Sequence, residues 1–420
     1  MKEKPVGALG GANARFDWAR ARHVTRIVAA LEAKEAGSVR FVGGCVRDSL
    51  LGETPKDIDI ATTLTPDDVM EALKAARLGA APTGVAHGTV TAIADHKGVE
   101  VTTLRADVST DGRRASVAFT RDWEVDARRR DFTINAIYMT PGFDLFDPVG
   151  GMEDLPDRRV RFIGAAEERI REDYLRILRF FRFSARFAST IDAAGLAACA
   201  ALKDGIRRLS AERIGDEIIN LLSLPAPQSA VAAMKASGVM AEVWTAPAHI
   251  EALARLKTIA PAAEGAIALA ALYGEAGEGI DVRLRLSNAD GERRRKAVRN
   301  AGLVERTLGE RAARAALYRM GADSWRDACL VAQALYLAES EKPDTRDANF
   351  ERLASLPDRW APPACPFSGK DALAAGVAKG PSVASVIRAA EARWIAEDFP
   401  SAVRAGEIFA EEAARVISKG

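Results

Sequence analysis

Two carboxylates, Asp57 and Asp59, stand one residue apart in the stretch KDIDIATT. Alternate side chains of an extended strand share a face, so this spacing predicts both acids on one side and Ile58 and Ile60 on the other. Neighbouring carboxylates repel each other, and a cation between them removes the conflict. Upstream, Gly43-Gly44 runs into the short helical segment CVRDSLL, which offers backbone N–H groups to an anion together with Arg47, about ten residues ahead of the acids. An acidic pair is often only the solvated face of an edge strand, and a glycine pair is often only a tight turn. In the order turn, helix, loop, acidic strand, they are the minimal equipment for transferring a nucleotide.

Three further segments add to that chemistry. Glu100 lies between Val99 and Val101 in GVEVTTLR. If this strand runs beside DIDI, Glu100 could complete a carboxylate cluster for two Mg²⁺ ions, which favour hard oxygen ligands; otherwise it makes a surface ion pair. In ARRRDFTINAI, three arginines precede Asp131 and a predicted helix carrying Asn135. Arginines are poorly placed at a helix start unless a polyanion, such as a triphosphate, neutralises them. In REDYLRILRFFRFSARF, Asp173 and Arg176 are expected at i,i+3 on one helix, with Arg179 and Arg182 extending the row. A carboxylate only accepts and a guanidinium only donates. Together they complement the amino donor and ring-nitrogen acceptor of cytosine and adenine, and oppose the reversed order in uracil and guanine. Unpaired buried polar groups make such rejection strong.

The elements that must position these groups follow from periodicity. Residues 17–35 repeat apolar positions at helical spacing. From Val39 to Gly150, strand patterns (VRFVGG, DIDIAT, HGTVTAIAD, GVEVTTLR, FDLFDP) alternate with helical ones (CVRDSLL, PDDVMEALKAA, DFTINAIYM). After Gly151 the chain reads as helix almost throughout, with EERIREDYLRILRFFRFSARF as one long helix and a Pro-rich break at 224–228. The expected fold is therefore α+β: a head with a small mixed sheet, followed by helical segments. The expected division is a leading helix (1–37), head (38–150), neck (151–225), body (226–356) and tail (357–420).

Composition narrows the classes. In 420 residues, 48% hydrophobic and 28% charged content describes a globular, helix-rich protein with several cores. No apolar run approaches the ~20 residues that span a bilayer, and the first residues lack the apolar centre of a signal peptide. Cys45, Cys199, Cys329 and Cys365 are far apart, which fits a reducing cytoplasm and neither a zinc site nor a disulfide framework. The formal net charge is +1, yet nine arginines face four acids over 158–187, and eleven basic residues face four acids over 283–319. Such patches suit a phosphate backbone, although the second also fits solvated helix faces laced with ion pairs.

Taken together, GGCVRDSLLG–KDIDIATT, VEVTTLR, RRRDFTINAI, DPVGGMEDL, EDYLRILRFFRF and LSAERIGDEI resemble the bacterial class II CCA-adding enzymes, tRNA nucleotidyltransferases of the polymerase-beta-like superfamily. The motifs occur in the family's order and cover residues 38–220, about half of the chain. The resemblance implies metal binding by Asp57 and Asp59, with Glu100 in a strand beside the site. It implies triphosphate and ribose contacts from Gly44, Arg47 and Arg130. It also implies base reading by Asp173 and Arg176, supported by Arg179 and Arg182. The expected reaction adds C, C and A to the 3′ end of tRNA from CTP and ATP with Mg²⁺, and no protein or membrane partner is indicated. Tyr174 stands where the family usually has Pro, which leaves the Asp173–Arg176 spacing intact. None of His23, His87, His96 and His249 is followed by Asp, so the phosphohydrolase activity of some relatives is not expected. The tail, PFSGKDALAAGVAKGPSVASVIRAAEARW, is similar to the family's tRNA-holding end. Rivals on the same fold are a poly(A) polymerase and partial CC- or A-addition. The polar loop between VTTLR and RRRDFT favours the full reaction, and a non-catalytic RNA-binding protein would not need the acidic pair.

Overall fold

The computed structural model describes residues 4–5, 15–108, 116–341 and 343–418. Ten strands are β1 (Lys4–Pro5), β2 (Val39–Val42), β3 (Asp59–Thr62), β4 (Gly79–Gly84), β5 (Thr89–Ala94), β6 (Lys97–Thr103), β7 (Arg105–Val108), β8 (Ser116–Phe119), β9 (Tyr138–Met139) and β10 (Asp144–Phe146). Eight of them form one mixed sheet in the order β1-β10-β9-β2-β3-β6-β5-β4, while β7 and β8 pair separately. The antiparallel β2–β3 pair and the parallel β3–β6 pair lie at its centre. That parallel register sets Asp59 opposite Glu100 and Ile60 opposite Val101.

Helix α1 (Arg22–Lys34) buries Val24, Ile27, Val28 and Leu31, one stripe at helical spacing, against the sheet. Beside it packs α3 (Pro66–Ala75), whose start is fixed by a capping box between Thr65 and Asp68 and by Pro66 in the first turn. Between them in sequence, α2 (Gly44–Leu50) leaves β2 through Gly43, whose φ of +76° is a left-handed conformation that suits glycine. Further on come α4 (Trp123–Arg128), α5 (Gly151–Asp154), α6 (Ala166–Glu172), α7 (Leu175–Phe187), α8 (Ala193–Ala201) and α9 (Ala211–Leu222).

Several expectations are corrected. DFTINAIYM is not a helix. It is a single 3₁₀ turn, Thr133–Asn135, followed by β9. The Asp131 carboxylate takes the Phe132 N–H and the Asn135 side chain, and such local side-chain bonds compete with helix. The long helix over 167–187 is broken between α6 and α7, where Asp173 has extended φ/ψ and its carboxylate accepts the Leu175 N–H at 3.0 Å. Aspartate serves a helix start better than a helix interior. Asp173 and Arg176 therefore do not share a helix face. Asp57 precedes β3 rather than lying in it. Strand β4 and the β7–β8 hairpin have no counterpart in the sequence reading; residues 109–115 of the polar loop lie outside the described residues.

The five expected segments gather into two compact units, Met1–Glu217 with Ser229–Thr245, and Ile218–Gln228 with Ala246–Gly420. The head and the neck as far as Glu217 fall in the first unit, together with residues 229–245 of the expected body; there Phe132, Phe162, Phe180 and Phe183 share an aromatic core. The second unit is helical among its described residues. Its helix Gly265–Tyr273 is buried on every side, as its Ala- and Leu-rich sequence dictates. Near the end, helices Pro381–Ala396 and Ala402–Ile417 close a separate apolar cluster around Trp394, Ile408 and Phe409. Among the described residues no helix is long and apolar enough to cross a membrane.

Candidate active site

Asp59 opens β3 and Glu100 lies beside it on β6, with Val99 and Val101 turned into the core as alternation requires. Burial pushes the Asp59 carboxyl above its ordinary range; Glu100 and Asp57 push it further, while Arg130 and Arg47 pull it back. Among the described residues no side chain makes a hydrogen bond or ion pair to the carboxylates of Asp57, Asp59 or Glu100; the Cys45 thiol reaches only the Asp59 carbonyl. Hard oxygen donors that repel one another and lack protein partners fit a divalent cation. Among the described residues no group of three His, Cys, Asp or Glu converges as a metal cage; the sequence reading holds Glu100 as a third carboxylate. The parallel register brings it next to Asp59, but Asp57 sits outside the strand.

Gly43 faces this acid. A Cβ built on it would lie 3.9 Å from Asp59 Oδ2 and 4.0 Å from Arg130 Nη1, so the bare backbone leaves that corner open. Gly44 follows at the first position of α2. Arg130 is anchored from behind. Its Nε and Nη2 donate to Asp126 Oδ2 at 3.2 and 3.0 Å, and its Nε also donates to the Tyr138 hydroxyl at 3.1 Å. Arg129 takes the other oxygen of Asp126 through Nε at 2.8 Å. Burial alone would raise Asp126, but Arg130, Arg129, Tyr138 and the Arg105 N–H outweigh it and hold the carboxyl well below the usual range. Arg130 Nη1, the nitrogen left over, is the one nearest Gly43.

Arg47 lies where the sequence reading does not put it. It is 5% exposed, with its Nε on Asp48 Oδ1 at 2.7 Å, its Nη1 on Asn135 Oδ1, and its guanidinium 4.2 Å above the Phe187 ring. Here it is a strut between α2 and α7, with Nη2 3.6 Å from the Cβ position of Gly44. From Asn135 the hydrogen bonds continue to Asp131 Oδ1 at 3.0 Å and from Asp131 Oδ2 to Arg179 Nε at 2.8 Å. Glu217 on α9 then joins Arg179 at 3.7 Å and accepts two bonds from Arg182. Burial pushes Asp131 up, and Arg179, Asn135 and the Phe132 N–H more than reverse it, leaving the carboxyl below its ordinary range.

Asp173 and Arg176 flank the α6–α7 break, where the Arg176 N–H donates to the Asp173 carbonyl at 3.0 Å, but their side chains take different partners. Asp173 Oδ2 accepts from Arg213 of α9 at 2.7 Å. Arg176 donates to Glu172 and to the carbonyls of Arg169 and Arg129, the latter two at 2.8 Å. Tyr174 lies on Gly205, with the Arg208 guanidinium 5.4 Å from its ring. The structure thus brings Asp59, Glu100, Gly43, Gly44 and Arg130 to one corner and ties Arg179 and Arg182 into a network reaching Arg47. The sequence reading missed Asp48, Asp126, Arg213 and Glu217. Asp126 was detectable, three and four residues ahead of Arg129 and Arg130 at helical spacing; the others depend on tertiary contact. Cys45, whose thiol is pushed up to about 12 by burial, is a packing residue beside the site.

Comparison with known proteins follows the same outline. Residues 39–161 match the model of the poly A polymerase head domain, and residues 190–250 that of a probable RNA- and SrmB-binding site of polymerase A. Mitochondrial CCA tRNA nucleotidyltransferase 1 of Danio rerio is 32% identical over 391 residues, 86% of this chain and 84% of the relative. The Homo sapiens protein of the same name is 47% identical over 198 residues, 46% of this chain; that match spans just under half of the relative, 45%. Among solved structures, the Bacillus stearothermophilus CCA-adding enzyme in complex with CTP superposes with a TM-score of 0.72 at 27% identity, covering 94% of this chain and 96% of that one.

Proposed function

The chain belongs to the family of CCA-adding tRNA nucleotidyltransferases, and from that premise we propose that it adds C, C and A stepwise to the 3′ end of tRNA. The terminal 3′-hydroxyl oxygen attacks the α-phosphorus of CTP or ATP and loses its proton. The bond from that phosphorus to the bridging oxygen breaks, and pyrophosphate leaves. Asp57 and Asp59 are the residues to hold a divalent cation, and oxygen donors favour Mg²⁺. When bound, the cation would neutralise phosphate charge and acidify the attacking hydroxyl.

The chain's own groups do the positioning. Gly43 and Gly44 keep side chains away from the phosphates, and Arg130 presents Nη1 to them while Asp126 fixes the rest of its fork. Fixed charge of this kind stabilises a transition state without reorganising. The Asp173 carboxylate, bonded to Arg213, is an acceptor only, and Arg176 is a donor only. Cytosine and adenine match that pair, whereas uracil and guanine do not. Arg179 and Arg182 hold the reading helix through Asp131 and Glu217. The helical body and tail grip tRNA by shape and backbone. A reducing compartment such as the cytoplasm suits the four free thiols.

The observation that carries this reading is the continuous set of bonds from Arg47 through Asn135 and Asp131 to Arg179, which ties the transfer corner to the helix that reads the base. The test is incubation of tRNA ending at its discriminator base with Mg²⁺ and each labelled nucleoside triphosphate, alone and combined, followed by sequencing of the product. Ordered C-C-A supports the proposal. Extended A tails from ATP alone would instead indicate a poly(A) polymerase, and no incorporation would refute transfer altogether.

A further inference from the structure

The basic run over 283–319 divides into two kinds of residue. Arg293, Arg294, Arg295, Arg306 and Arg314 are each bound to carboxylates of their own unit. Arg299 and Arg319 are exposed and make no ion pair or hydrogen bond among the described residues. These two cations converge with Lys296 on one recess of 430 Å³ between helices Asn288–Ala301 and Glu310–Met320. Lys296 itself makes an exposed pair with Glu292, of a kind that contributes little and yields readily.

Two features of the recess exceed what a solvated basic face needs. Asn300 lines it at 8% exposure, and its carboxamide oxygen and nitrogen both reach the solvent of the recess and make no hydrogen bond among the described residues. Leu303, 57% exposed, and Met320 form an apolar shelf beside the cations. Cations around an amide donor, next to an apolar shelf, match the two parts of a sugar–phosphate unit. The phosphate is held by the charges and the amide N–H, and the C–H face of the ribose lies on the shelf. An acidic peptide would use the charges and leave the shelf and the amide unexplained.

We propose that Lys296, Arg299, Arg319 and Asn300 form a seat for one or two adjacent backbone phosphates of the RNA substrate. This rests on the reading of the protein as a tRNA enzyme and adds the place in the helical body where the RNA backbone is held. A contact to phosphate fixes register and carries no sequence information.

The test uses the full-length protein and a tRNA lacking CCA, with binding measured over a salt series and phosphate ethylation interference mapped in parallel. The variants are the double replacement Arg299→Ala/Arg319→Ala and the uncharged Asn300→Leu. Both arginines are exposed, so the double variant keeps its fold, which thermal melting checks. It should bind about ten-fold more weakly, with a slope of log K against log salt reduced by about two. Interference should vanish at one or two neighbouring phosphates and persist elsewhere. Asn300→Leu should lose interference at the same phosphates with the salt slope retained. Wild-type affinity and an unchanged interference pattern in the double variant would overturn the seat, as would a uniform weakening with no phosphate singled out. Displacement by polyglutamate that depends on Arg299 and Arg319, with the RNA pattern intact, would assign the recess to a protein ligand and equally overturn it. If the wild-type protein neither binds nor extends tRNA, the functional reading fails; if it does both and the variants behave like it, only the seat fails.

Discussion

Asp59 is held in an environment that disfavours its own charge: burial, Glu100 and Asp57 all raise its pKa, and Arg130 and Arg47 compensate only in part. The sign of the linkage follows. The folded chain holds this proton more tightly than the unfolded one, so the group favours folding below its unfolded pKa of ~3.9 and loses that contribution as pH rises through the raised value. Bound Mg²⁺ would reverse the effect by favouring the ionised carboxylate. Asp59→Asn should therefore melt higher than wild type without divalent metal near neutral pH, lose the rise in melting temperature on adding Mg²⁺, and incorporate no nucleotide. A mutant that melts lower in metal-free buffer would contradict this account. Asp126 and Asp131 carry the opposite sign, since both sit below the usual range. Their contribution is complete above ~4 and is lost as pH falls through their folded values. Asp126→Asn leaves Arg129 and Arg130 without their carboxylate, and should cost about 3–5 kcal/mol in denaturant unfolding at neutral pH.

At the scale of elements, the break between α6 and α7 matters most. It turns what reads as one helix into two, and gives Asp173 and Arg176 separate surroundings: Arg213 on one side, Glu172 and two carbonyls on the other. Arg176→Ala should relax the choice between C or A and U or G before it abolishes transfer; wild-type selectivity in a misincorporation assay would refute its role as reader. Tyr174 closes the break by lying on Gly205, where an added Cβ would fall 1.9 Å from the ring. Gly205→Ala must displace that ring, at about 1–3 kcal/mol. Adding Tyr174→Ala removes the clash, so the double mutant should be less destabilised than the sum of the singles in a thermodynamic cycle. Simple additivity would show that the contact carries no strain.

For the whole molecule, the chain divides into two compact units, whose cores are expected to open independently. In the second unit, Trp394 is 4% exposed, packs against Tyr318, Phe367 and Phe399, and donates its indole N–H to the Pro400 carbonyl at 3.1 Å. Trp394→Ala should remove about 3–5 kcal/mol from that cluster. In native-state hydrogen exchange, amides of the helices at 381–396 and 402–417 should lose protection while those of β2, β3 and β6 keep theirs. Equal loss in the sheet would mean that the cores open together.

The type and order of the central strands, the helices CVRDSLL and PDDVMEALKAA, and the side of β6 that carries Glu100 were legible because they depend on local periodicity. Alternation along GVEVTTLR fixes which residues face the core before any partner strand is known. The transfer residues were legible as residue types at fixed spacing, and resemblance to a family supplied their roles. The surroundings of those residues were not. Arg47 reads as a free cation beside a glycine turn, and only the approach of α7 and Asn135 makes it a buried strut. Asp173 and Arg176 read as neighbours on a helix face, and only the competition of a capping carboxylate and the reach of Arg213 from α9 separates them. The sequence by itself determined which charges this protein carries and how its strands alternate, because those are properties of neighbours along the chain. Which charges are engaged and which stay open, from Arg130 Nη1 to Arg299 and Arg319, was decided by tertiary structure, because a partner many residues away has no periodicity to announce it.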